Sequence, residues 1–176
     1  NGNFKLAGYE PSTGRVLDVE TLPRKTWSDD FPGYWVKNSS EYIFVKTQSG
    51  PKDEGGMGFT DKTGFIDMSP KVGLSSAVVF TAPVDGEYSF DAEFTKLEMW
   101  GSPSTYSLSA HHGSTVVDKT TFSCPVSGSQ TRTLKGTLTM KKGEQLVFAG
   151  NVTSDTATQS EITIMSIQVS RNIPEE

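Results

Sequence analysis

A sandwich of two antiparallel β-sheets is the fold this chain predicts, on three observations. Tyr88, Phe90, Ala92 and Phe94 alternate with Ser89, Asp91 and Glu93, which buries one side of the segment and leaves the other wet. Turn signals recur every eight to twelve residues from Glu41 onward, and no window keeps an apolar stripe at the helical period for three turns. Between eight and eleven strands fit this grammar, in one domain over residues 1–176, a length that buries a self-sufficient core.

Taken in order, Phe4, Leu6 and Tyr9, then Val16, Leu17, Val19 and Leu22, give two short strands or an N-terminal arm over residues 1–26, ahead of a sandwich core over 27–170. Trp27, Phe31, Tyr34 and Trp35 stand among Asp, Pro and Gly, as in a long loop that ends in a strand. Glu41 to Thr47 is apolar on both faces and predicts an internal strand. Ser49 to Gly64, with five glycines and a proline, is the longest predicted loop. Gly64 to Met68 is a short strand. Ala77 to Ala82, the turn Pro83 to Gly86 and the alternating Tyr88 to Phe94 then predict a hairpin.

Trp100 to Ser104 reads as a loop, followed by a strand on Tyr106, Leu108 and Ala110, another from Val116 to Phe122, and one from Thr131 to Met140 carrying Leu134 and Leu138. Lys142, Gly143 and Glu144 turn the chain into Gln145 to Ala149. In the last strand Ile162 and Ile164 are in one phase and Ile167 and Val169 in the other, so a β-bulge belongs near Met165 and Ser166.

Composition narrows the function classes. Ser and Thr together number 41, charged residues stop at 21%, and the formal net charge is -5. Nucleic-acid affinity rests on clustered Lys and Arg, and no basic run here exceeds two residues, as at Lys141 and Lys142, so no nucleic-acid partner is expected. No stretch approaches the roughly 18 apolar residues of a membrane span, and no signal-peptide segment is present in the chain as given. Cys124 is the only cysteine and reads as a small buried hydrophobe. Two sequons, at Asn38 and Asn151, matter only where secreted proteins are glycosylated.

Catalytic signatures are weak. His111 and His112, the only histidines, point to opposite faces if they share a strand, and no zinc set accompanies them. No nucleophile elbow occurs, and Asp29, Asp30, Asp53, Glu54, Asp61 and Asp67 read as solvated loop acids, some of them able to bind a structural calcium through oxygen, with a glycoside-hydrolase pair among them as the lesser alternative. The expectation is a noncatalytic protein without a cofactor. Aromatics in breaker-rich stretches stand apart, because an alternating strand does not assign them to the core. Trp100 leads this set, with Tyr106, Trp27 and Tyr34 as companions; planar rings take the apolar faces of pyranoses while neighbouring polar groups take the hydroxyls.

Phe80, Gly86, Tyr88 and Phe90 fall in a spacing that resembles the complement-q globular head, a relative of the tumour-necrosis-factor jelly roll, although Ala92, Gly73 and Met68 depart from that pattern. The stretch Val78 to Phe90, with Gly143 to Phe148 and a closing strand at Val169, is also similar to noncatalytic jelly-roll modules of secreted bacterial polysaccharide-degrading systems. That second resemblance implies a jelly-roll β-sandwich, a secreted or cell-surface location and a glycan partner. The first implies a self-associating protein-interaction module that forms a homo-oligomer.

Overall fold

The computed structural model describes residues 3–18, 24–25, 34–38, 41–46, 66–68, 70, 73–96, 99–126, 130–153 and 162–173. Thirteen strands lie within them: β1 (Phe4–Glu10), β2 (Arg15–Asp18), β3 (Arg24–Lys25), β4 (Tyr34–Asn38), β5 (Glu41–Lys46), β6 (Ile66–Met68), β7 (Ser75–Thr81), β8 (Gly86–Lys96), β9 (Met99–His112), β10 (Thr115–Val126), β11 (Gln130–Met140), β12 (Gln145–Val152) and β13 (Ile162–Asn172). They form a six-stranded sheet in the order β10-β9-β12-β7-β1-β2 and a seven-stranded sheet in the order β11-β8-β13-β6-β5-β4-β3. Every pairing is antiparallel. The strand number exceeds the expectation; β3, of two residues, is too short to leave a periodicity.

Phe94, Tyr106, Leu108, Phe122, Met140 and Phe148 are fully buried between the layers, where the Phe90 and Phe148 rings meet edge to face at 5.5 Å. Tyr88 and Phe90 are 2% and 4% exposed, as the alternation requires. Phe80, which with Gly86, Tyr88 and Phe90 carries the complement-q-like spacing, packs on Tyr88 at 5.6 Å. These side chains serve the core. β5 is internal, between β4 and β6, and β13 slips register between Ile164 and Ser166, at the expected bulge. The N-terminal segment is an integral part of the sandwich, since β1 pairs with both β2 and β7.

Two expectations are corrected. β7 and β8 do not form a hairpin: they lie in opposite sheets, joined by an arch at Ala82 to Asp85. Pro83 has no N–H to give a ladder. The N–H of Ala82 instead donates to the Glu144 carbonyl (2.9 Å), and its carbonyl accepts from the N–H of Gly143 (2.8 Å), while the Tyr88 hydroxyl holds the corner on the Val84 carbonyl (2.8 Å). The β11–β12 connection makes a second arch beside the first, its Lys142 N–H donating to Asp85 Oδ1 at 2.7 Å. A short turn looks the same in sequence whether it returns within a sheet or crosses to the other one. Likewise, Trp100 to Ser104 is not a free loop but part of β9, paired with β10 at Ser104–Cys124 and Met99–Val126 with an irregularity between. Pro103 fits there because the pairing of β9 with β12 runs only from Tyr106 to His112, which leaves an edge position.

Candidate functional site

On strands with period two, Ala7, Tyr9, Ala77, Val79, Val147 and Ala149 point away from the inter-sheet core, yet all six are buried as a second apolar cluster on the outer side of the six-stranded sheet. The sheet curls to achieve this. Tyr9 is registered against Ser75, and His111 against Val147, whose other partner is Val79. On a flat sheet three strand spacings and four residue steps would hold the two Cα atoms roughly 20 Å apart. Their rings instead meet at 4.9 Å. Twist and coil bring diagonal corners of a sheet together on one face, and the small side chains of Ala7, Ala77 and Ala149 leave the trough that permits it.

A cleft of about 320 Å³ opens beside this contact, lined by Tyr9, Val16 and Val147, by Gly14, Gly113 and Gly143, and by His112, Glu144 and Gln145. Three connections meet there: the β1–β2 turn, the β9–β10 turn and the β11–β12 arch. Each contributes a glycine at positive φ, 69° at Gly14, 58° at Gly113 and 86° at Gly143, so the rim is backbone without side chains. Where Gly113 and Gly143 would carry a Cβ there is open space.

Glu144 is the fixed polar feature. Its Oε2 accepts from the Lys141 backbone N–H (2.9 Å) and lies 2.9 Å from His112 Nε2. The Lys141 N–H first, then His112, holds its carboxyl below the ordinary carboxylate range. Burial, with Lys119 adding to it, pushes the His111 imidazole down, and burial pushes the Tyr9 phenol up. Ser109 Oγ sits 2.7 Å from His111 Nε2. A nucleophile and base therefore stand on His111, and a base and carboxylate on His112, but the two halves sit on separate histidines and do not make one Ser-His-acid relay. Among the described residues no group of three or more His, Cys, Asp or Glu is placed to hold a metal ion.

The four aromatics singled out from the sequence do not gather here. Tyr106 has no exposed surface, and Lys96 Nζ covers its ring at 4.0 Å from the centroid, so it is a core residue and no platform. The strand phase explains this, since Tyr106 shares its side with Leu108 and Ala110. The backbone of Trp100 lies at the opposite end of β9 from His112, and Tyr34 lies on β4 in the other sheet. The side chains of Trp100 and Tyr34, and all of Trp27, are outside the described residues, as is the side chain of Cys124. Tyr9, Glu144 and Gln145 were not legible as a site. Their one local signal is a glycine in each of three turns.

No protein family model matches the chain, and no curated protein matches it. Among solved structures the chain is similar to an isomalto-dextranase of Arthrobacter globiformis T6 complexed with panose (20% identity, TM-score 0.36), covering 73% of this chain and 22% of that one. It is also similar to a family 35 carbohydrate binding module from an environmental isolate (19% identity, TM-score 0.38; 78% of this chain, 93% of that one). A third likeness is to a cyclase from Fischerella sp. TAU (10% identity, TM-score 0.47; 100% and 92%). The chain thus spans about a fifth of the dextranase chain and most of the other two.

Proposed function

We propose that this protein is a noncatalytic carbohydrate-binding module of a secreted or cell-surface system, with the cleft over the six-stranded sheet as its binding site. The observation that carries the reading is the make-up of that cleft: an apolar floor of Tyr9, Val16 and Val147, a bare glycine rim, and Glu144, Gln145 and His112 grouped on one wall. A sugar presents the complementary pair of surfaces, apolar C–H faces and a ring of hydroxyls. The volume lies at the small end of ligand pockets, which suits a chain end or a single sugar unit better than a long run of polymer. Glycoside hydrolysis uses two carboxylates, and among the lining residues Glu144 stands alone, already bonded to its neighbours. Trp100, Trp27 and Tyr34 enter this reading as a separate contact, to be tested separately.

The experiment is a two-dimensional NMR titration of the labelled protein with a panel of plant, algal and bacterial oligosaccharides. Shifts concentrated on the amides of Gly14, Gly113, Gly143 and Gln145 are expected, with a dissociation constant of tens of micromolar to millimolar, equivalent to roughly 4 to 6 kcal/mol. Shifts elsewhere would move the site, and none with any glycan would end the reading. Trp fluorescence with Trp100→Ala settles the separate contact: an unchanged response removes Trp100.

A further inference from the structure

If the cleft binds a glycan, as proposed, its hydrogen-bonding wall is specific enough to name a class of sugar. Glu144 Oε2 is held by two bonds, to the Lys141 N–H and to His112, which fixes the plane of the carboxylate. Oε1 makes no hydrogen bond to the described residues. An ionised carboxylate only accepts, so this oxygen asks for a donor, and because its plane is already fixed it loses little freedom when it finds one. Beyond Glu144 the lining offers donors at the Tyr9 phenol, the His112 ring and the Gln145 amide, backbone at three glycines and apolar surface, but no Lys or Arg to pair with a bound anion.

We infer that the cleft prefers neutral sugars, which set a hydroxyl against Glu144, over uronic and other anionic sugars, with Glu144 as the specificity-determining residue. A hydroxyl donates to Oε1; a uronate carboxylate has nothing to donate and meets acceptor with acceptor. The discrimination arises at contact and not from net charge. Lys141 and Lys142 precede Gly143 on the same arch, and Arg15 pairs with Glu10 beside the β1–β2 turn at 3.4 Å, so the long-range field around the mouth is mixed.

The test is calorimetric titration of the full chain with a neutral oligosaccharide and with the same oligosaccharide ending in a uronic acid. The neutral ligand is expected to bind about tenfold more tightly, the difference made by one hydrogen bond to a charged acceptor. Glu144→Gln, whose amide can donate to a carboxylate, is expected to bring the two within about threefold. His112→Ala, which loosens the carboxylate without removing it, is expected to weaken both ligands by about threefold while keeping the order, and it serves as the test if Glu144→Gln does not fold. Equal binding of both sugars by the wild type, a ratio unchanged in Glu144→Gln, or a preference lost in His112→Ala overturns this inference alone. Failure of the wild type to bind either sugar, with the NMR panel also silent, overturns glycan binding with it.

Discussion

The outer faces of the two sheets are built from the same strand geometry and have opposite chemistry. Outside the seven-stranded sheet, β11, β8 and β13 present a wet lattice: Ser89 bonds Thr137 and Asn172, Asn172 bonds Glu87, and Lys135 pairs with Asp91 at 2.8 Å. Outside the six-stranded sheet, Ala77, Val79, Val147 and Ala149 are buried beside Tyr9. The difference teaches that a sandwich can spend one outer face on solubility and keep the other for a recess, provided that face curls and its central side chains are small.

The contrast breaks most drastically if the layer both faces share is opened. Phe148→Ala, at the edge-to-face contact with Phe90, is expected to cost about 3 to 5 kcal/mol in a urea titration, and Phe90→Ala a similar amount. A loss below about 1 kcal/mol would mean that the strand register is different. The sharper test sets one outer face against the other. Val79→Thr places a hydroxyl in the fully buried trough and is expected to cost about 1 to 3 kcal/mol, whereas Gln168→Val on the wet face of β13 should stay within about 0.5 kcal/mol. Equal effects would show that both faces are solvated.

A smaller effect is expected at the rim. Gly113→Ala forces a Cβ onto a backbone at φ 58°, at a cost of about 1 to 2 kcal/mol with no clash, since the space beside it is open. The smallest effect is that of His111. Its folded pKa is depressed, so the unfolded chain binds the proton more readily once the pH drops below the ordinary imidazole range. Stability should therefore fall as pH decreases through that range and be flat above it. Urea midpoints at several pH values, for wild type and His111→Asn, check this; an equally steep fall in the variant would assign the effect to another group.

Much of the sandwich was legible and the site was not, for one physical reason. Alternation along a strand reports which face is buried, so β8, β11 and the bulge in β13 could be read residue by residue, and the two apolar faces of β5 marked it as internal. Nothing local reports where a turn sends the chain. That hid the arch after β7, and it hid the meeting of Gly14, Gly113 and Gly143 from three distant connections. Trp100 stood out for its neighbours Gly101 and Pro103, which mark an irregularity within β9. Tyr9 was one apolar residue in a weak strand. Its contact with His111 depends on the curl of the whole sheet.

The paired arches also set the order in which the chain can assemble. Because β7 and β8 lie in different layers, neither closes on the other: β7 takes β1 on one edge and waits for β12 on the second, through Phe80 and Leu146. β8 is flanked only by β11 and β13, through Phe90 with Gly136 and Val169. Pairings closed over long sequence distances fold slowly. A nascent chain that has emerged only as far as Lys96 would therefore expose one long edge of β7 and both edges of β8, and β13 must arrive before the last of them is covered.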